Sequence, residues 1–344
     1  MTTPATIATD TVVYQVVPDT TIERVAFVTG SLVDEATGKP VENATVRVDR
    51  PAAFARIASG GFFCVSGSMA KVMPVIPTAL TLTFAADRYQ PRVVPIPIGA
   101  VPVFPISGGT VRLRPLPVRF EGRVTREADR SGIANANVTL KSPTNAVLLR
   151  TPAHIDHASG VTITPTTLGL VAPLRSVKDG VRSGADVVKL DNVALLAVNA
   201  ILGFGAGPVE YAVIDSVDAG ASTVTLKSPL RRSYANGAAV QERNSTPGVG
   251  AAATTRSIDE GDGLVLLTAA MTAASIEISD PPRLEYHDTN LVADAEGFFA
   301  VDGVAGPGAI TLTGSSGTFV PLDLDIIIDY SRPVAVLGFR LKTP

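Results

Sequence analysis

The chain has 344 residues, a net charge of −3, 46% apolar and 18% charged residues. That is enough hydrophobic material to offset chain entropy, so a disordered chain is excluded, and the length suits two or three domains at about 100 to 150 residues each. The 29 Lys and Arg are scattered, with no run longer than the pair Arg231-Arg232, which provides no electrostatic footprint for nucleic acid or an anionic membrane surface.

Val, Ala and Thr dominate, and 30 Gly and 26 Pro punctuate the chain at short intervals. This is the composition of strands and turns, so the expected class is all-β. Met1 to Asp10 has no basic segment followed by an apolar one, and with a single cysteine this gives an expectation of cytoplasmic synthesis without a signal peptide and without membrane insertion. Residues 1–24 read as an arm. Within it Thr11 to Val17 is strand-forming, suited either to adding a strand to a neighbour's sheet or to lying at an edge of its own domain.

From residue 25 the expected elements are a strand at Val28 to Val33, a turn at Asp34 to Pro40, and strands at Ala44 to Val48, Gly61 to Val65 and Ala79 to Phe84. Pro95, Pro97, Pro102 and Pro105 make Val93 to Pro105 a loop or edge strand. The series then repeats. Gly30 to Val48 aligns without a gap on Gly122 to Leu140, at an offset of 92 (122 − 30), matching Glu35-Ala36 with Glu127-Ala128 and Asn43-Ala44 with Asn135-Ala136. Gly61-Phe62-Phe63 recurs at Gly297-Phe298-Phe299, an offset of 236 (297 − 61). The excess of 144 (236 − 92) implies an insertion in the second copy, which closure entropy tolerates because it grows only logarithmically with length.

The expected domains are therefore residues 25–117, a second sandwich split between 118–145 and 291–344, and an inserted β domain at 146–290. Within the insertion, strands expected at 184–190, 210–217, 222–230 and 234–240 suggest a small barrel. Gly263 to Ala274 is the window best suited to a short helix.

The pattern Gly-x-Val/Leu, polar turn, Val/Ile-x-Asn-Ala-x-Val, then Gly-Phe-Phe and a Thr-rich strand resembles the carboxypeptidase regulatory-like domain, a transthyretin-like β-sandwich of about seven strands. The inserted segment, with Gly184-Ala-Asp-Val-Val and Glu210-Tyr-Ala-Val-Ile, resembles small β-barrel modules of phage tail and baseplate proteins. The sandwich resemblance implies a fold but no activity, since such domains are attached to enzymes, receptors, surface proteins and phage particles alike, and it transfers no catalytic residue.

Candidate chemistry is sparse. Any histidine-based site must use His154, His157 or His287, with Asp156 or Asp288 as carboxylates. On a strand, however, His154 and His157 would point to opposite faces, and the expected role of this stretch is a polar loop where the insertion begins. Asp259-Glu260-Gly261-Asp262 lacks the spacing of a calcium loop and reads as a turn. Gly203 to Gly207 has no following helix to bind phosphate. Gly67-Ser68 and Ser315-Ser316-Gly317 lack a nucleophile elbow, and Cys64 reads as a strand side chain. The expectation is a non-enzyme with no catalytic residue, metal or cofactor: a structural or adaptor subunit of a phage tail or contractile injection particle, contacting other subunits or itself. The alternative is a carbohydrate- or surface-binding module of an exported adhesin, which zero Trp and six Tyr weaken because sugar platforms stack on aromatic rings.

Overall fold

The computed structural model describes residues 14–17, 20–22, 24–280 and 283–344. Strands take up 53% of the chain and helix 2%, so the chain adopts the all-β class that its composition implies. It divides into two compact units, one ending at Leu116 and the other beginning at Pro117.

The first unit opens with a hairpin of β1 (Tyr14–Val17) and β2 (Thr20–Ile22). Thr11 to Val13, the start of the strand expected in the arm, lie outside the described residues. Next come β3 (Val25–Asp34), β4 (Ala44–Val48), β5 (Phe54–Ile57), β6 (Phe62–Gly67), β7 (Ala79–Ala86), β8 (Arg92–Pro97) and β9 (Ile106–Leu113). They form two sheets, ordered β5-β6-β3-β9 and β4-β7-β8. β3 runs antiparallel to β6 and parallel to β9. The period of two along each strand sends alternate side chains inward, so Leu80, Leu82 and Phe84 of β7 meet Val28, Leu32, Phe63 and Val65 in an apolar core. The Phe63 ring packs edge-on against Phe84 with centroids 4.9 Å apart. Gly30 is required beneath it, because a Cβ there would stand 2.5 Å from the ring.

The second unit repeats this topology around an interruption. After β10 (Val118–Arg126) and β11 (Asn137–Ser142) the chain forms β12 (Ala146–Leu148), β13 (Thr162–Ser176), β14 (Val187–Lys189), β15 (Ile201–Phe204), β16 (Glu210–Asp218), β17 (Thr223–Leu226), β18 (Ala239–Pro247), β19 (Ala252–Ala253), β20 (Leu264–Leu266), β21 (Ser275–Asp280) and β22 (Arg283–Asp288). It then returns with β23 (Leu291–Val292), β24 (Phe298–Val304), β25 (Ala309–Ser315), β26 (Leu322–Ile327) and β27 (Val334–Leu341). The orders β24-β10-β27 and β11-β25-β26 reproduce β6-β3-β9 and β4-β7-β8, with β23 added beside β11. β10 is parallel to β27, as β3 is to β9, and a Cβ on Gly122 would stand 2.8 Å from the Phe299 ring. Among the described residues β5 has no counterpart beside β24. The chain that would supply one instead carries β12 to β22.

Within that stretch the strands pair in the order β14-β17-β16-β15-β18-β13-β21-β22, with β19 beside β13. Val177 bridges Leu190, and the Lys178 N–H donates to the Lys189 carbonyl at 2.8 Å. These contacts bring the β14 end back to the end of β13 and close a ring of strands around Val177, Val188, Leu202, Phe204, Ile214, Val224 and Val240. A separate apolar cluster of Val147, Leu149, Ile163, Ile258, Val265, Leu267, Ile276 and Ile278 lies nearer the sandwich.

The short helix expected at Gly263 to Ala274 does not form. Leu264 to Leu266 is β20, paired with β12, because burying Leu264 and Val265 to 1% exposure against a partner strand outweighs a weak local helical preference.

Candidate functional site

The most unusual part of the interior is polar. On β22 the alternation of a strand places Glu285 and His287 on one face and Tyr286 on the other. All three are buried, since Tyr286 packs with Ile201, Tyr211 and Val213 while the opposite face meets the loop after β12. That loop is tied down by its backbone: the Arg150 N–H donates to the Asp288 carbonyl at 2.8 Å and the Ala153 N–H to the Asp262 carbonyl at 2.9 Å. It delivers His154 and His157, each 2% exposed. Glu210, the first residue of β16, enters from the barrel side and is fully buried. All three histidines of the chain thus converge on Glu285.

Glu285 Oε1 accepts the His154 backbone N–H at 2.7 Å and lies 2.8 Å from His154 Nδ1. Its Oε2 lies 2.5 Å from His157 Nε2. The other nitrogen of His154, Nε2, is 2.8 Å from Glu210 Oε1. Glu210 accepts further bonds from the Arg231 N–H at 2.5 Å, the Arg232 N–H at 3.2 Å and the Tyr234 hydroxyl at 2.7 Å. The Arg231 guanidinium in turn donates to the Ala153 carbonyl at 2.9 and 2.7 Å. His287 Nδ1 lies 2.7 Å from the Thr151 carbonyl. A carbonyl only accepts, so Nδ1 carries the proton. His287 Nε2 is buried 3.8 Å from Glu285 Oε1 and makes no hydrogen bond among the described residues. A buried polar atom left without a partner costs about 1–3 kcal/mol.

The electrostatics follow from this packing. Burial alone would raise the Glu285 pKa, but the imidazoles around it hold the carboxyl well below its ordinary value. Glu210 is likewise lowered: its burial is outweighed by His154, the Arg231 N–H and the Tyr234 hydroxyl. Desolvation pushes His154 down, yet the hydrogen bonds and charges of the two carboxylates dominate and raise it to about 9. With a carboxylate at each nitrogen the ring is an imidazolium that donates twice, a buried cation bridging two anions. Tyr234 is raised by burial and by Glu210.

The histidine pair is the main departure from the sequence reading. His154 and His157 are not on a strand, so the period-two rule does not separate them, and the expected polar loop is an interior one. Asp156 turns away to accept the Glu260 N–H at 2.7 Å. Asp288 is not part of the cluster: it bonds Ser275 and Tyr211 and its pKa is raised by burial. Nothing in the sequence around Glu210 or Glu285 marks either as a site residue beyond the buried Glu-Tyr-His stretch of β22. Elsewhere, Asp262 is buried and accepts the Asp259 N–H at 3.0 Å within its own turn. Gly203 lies in β15, with Gly205 and Gly207 in the turn leading to β16. Gly67 ends β6 with Ser68 after it, and Ser315 ends β25 before the turn at Ser316-Gly317. Cys64 sits half-buried on β6, its thiol pKa raised by desolvation.

No family model and no curated protein matches the chain. Among solved structures it is similar to BcpA, the major pilin subunit of Bacillus cereus, at 9% identity over 93% of this chain and 100% of that one, with a TM-score of 0.21. The shaft pilin SpaA of Lactobacillus rhamnosus GG, in a mutant form, matches at 8% identity over 93% and 97%, TM-score 0.20. The Bacillus anthracis TIE protein matches at 7% identity over 94% and 51%, TM-score 0.20. Similarity at this level carries no argument about fold or function.

Proposed function

We propose that the protein is a non-enzymatic structural or adaptor subunit of an assembled particle of the phage-tail or contractile-injection kind, working through contacts between β-surfaces. The observation that carries this reading is the outer edge of β26. The Ile328 N–H donates inward to the Gly308 carbonyl and the Ile98 N–H to the Thr78 carbonyl, so on β26 and β8 alike the odd-numbered N–H groups face away from the sheet. On β8 those outward positions include Pro95 and Pro97, which have no N–H to offer. Their register equivalents on β26 are Asp325 and Ile327, which do. An unpaired edge with free donors is a template for a strand from another chain, and Ile327 is 87% exposed beside it. The likeness of the inserted segment to tail-type barrels supports the same reading.

The test is light scattering on the full chain, on a chain lacking residues 1–24, and on the double variant Asp325→Pro/Ile327→Pro, which copies the blunted edge of the first sandwich. Concentration-dependent assembly that either change reduces supports the subunit reading. A monomer at every concentration in all three forms overturns self-assembly. One observation favours the alternative of a surface-binding module: an open cleft of about 760 Å³ in the second unit, lined by Arg119, Arg123, Arg150, Arg232, Phe298 and Val336. Glu121 and Asp294 also line the cleft and Arg119 is paired with Glu121 and Asp302, so Arg123, Arg150 and Arg232 are the groups that would meet an acidic glycan, and binding of anionic but not neutral oligosaccharides by a monomer would select that reading.

A further inference from the structure

We propose that His154, Glu285 and His287 form a structural binding site for one divalent transition metal of the zinc class. The inference is independent of the assembly reading above. One donor atom from each residue lies within 4.8 Å of the other two, and all three residues are buried to 3% exposure or less. Two imidazole nitrogens and one carboxylate oxygen are a donor set that zinc and its neighbours accept, and that calcium or magnesium, which prefer all-oxygen shells, does not.

The orientation of each ligand is already fixed from behind. The Thr151 carbonyl holds the His287 Nδ1 proton, so Nε2 is the atom of that ring left to coordinate; it faces Glu285 at 3.8 Å and makes no hydrogen bond among the described residues. Glu210 accepts from His154 Nε2, which makes Nδ1 the coordinating atom of that ring. His157 occupies Glu285 Oε2, so the metal would take the lone pair of Oε1 that does not accept the His154 backbone N–H. Histidine ligands whose second nitrogen is held by a carboxylate or carbonyl, and a carboxylate ligand that is itself hydrogen-bonded, are the outer-shell arrangement of metal sites.

The spacing also fits. Bonds of about 2.0–2.1 Å in a tetrahedral shell put neighbouring donors about 3.3 Å apart. Glu285 Oε1 lies 2.8 Å from His154 Nδ1 and 3.8 Å from His287 Nε2, so those two contacts need shifts of about half an ångström, while the donors, spread over as much as 4.8 Å, draw together by about 1.5 Å at the widest pair. On binding, the proton on His154 Nδ1 leaves to solvent, as metal uptake by histidine requires, and the metal replaces the imidazolium as the cation facing Glu285.

The experiment uses the full chain, stripped with a chelator and shown to be folded by circular dichroism, then titrated with Zn²⁺ and Co²⁺. The expected result is uptake of about one equivalent, visible ligand-field bands of low-coordinate Co²⁺, and a rise in Tm with Zn²⁺. His287→Asn keeps an amide donor for the Thr151 carbonyl at the place of Nδ1 but should abolish uptake, and Glu210→Gln should weaken it ~10–100-fold. Failure of the folded wild-type chain to take up either metal at micromolar concentration overturns the site, as does undiminished uptake by folded His287→Asn. Should that variant not fold, presence or absence of the wild-type cobalt bands decides alone.

Discussion

The first sandwich and the region around the insertion solve the same burial problem in opposite ways. The first closes over an apolar core: Leu80, Leu82, Phe84, Phe63 and their neighbours interlock between two sheets. At the junction of the second unit the interior is filled instead by Glu210, Glu285 and three histidines, all 3% exposed or less. The contrast shows that a side chain's class sets what it costs to bury, while the partner it meets decides whether that cost is offset. An apolar core gains from each residue separately. The junction depends on a complete set, because each charged group is tolerable only while its partners are present.

The sharpest way to break the comparison is Glu285→Ala in metal-free protein. It strips the acceptor from the His154 backbone N–H and from two imidazoles, and an uncompensated buried charge costs about 3–5 kcal/mol. Urea unfolding should show that loss in the second unit only. A change below about 1 kcal/mol would mean the cluster is already relaxed.

Next in size is a matched pair, Gly30→Ala and Gly122→Ala. Each added Cβ would collide with the ring of the equivalent phenylalanine, Phe63 or Phe299, so each should cost about 1–3 kcal/mol by overpacking. Similar losses in the two units would show that the repeat extends to packing. A loss in one copy alone would show that the insertion has loosened the other.

A pH experiment sharpens the contrast further. Tyr211, whose hydroxyl donates to Asp288 at 3.3 Å, is raised by burial and by that carboxylate to about 12. Its folded value lies above the ordinary value of about 10, so its stabilising contribution is complete below about pH 10 and is lost as pH rises towards about 12. Tyr89 of the first unit, donating to Asp34 at 2.7 Å, is raised by the same causes. Ultraviolet titration should show both phenols ionising late, and Tyr211→Phe should remove one late step. Tyr211 titrating at its ordinary value would disprove the buried pairing.

The smallest effect on stability is expected at the edge strand. Ile327→Ser, at an 87% exposed position, should change unfolding free energy by no more than about 0.5 kcal/mol, while weakening any association that uses β26. A large loss of monomer stability would mean that the side chain packs at home.

Much of the architecture is written locally. Strands alternate with period two, and Gly30 and Gly122 stand at equal places in two copies of one motif, so composition and self-alignment determine an all-β chain with a repeated strand–turn–strand unit. The offsets imply an excess of residues in the second copy, because covalent spacing is a property of the sequence. The ring of strands around Phe204 and Val240 is less legible, since its closing bridge between Val177 and Leu190 has no motif. The window at Gly263 is read wrongly because its partner strand β12 is more than a hundred residues away. The histidine–glutamate cluster is decided only by tertiary structure. His154 meets Glu210 across 56 residues and Glu285 across 131. Whether a histidine in a short polar stretch faces water or a buried carboxylate depends on which strands pack over it, and no local periodicity encodes that.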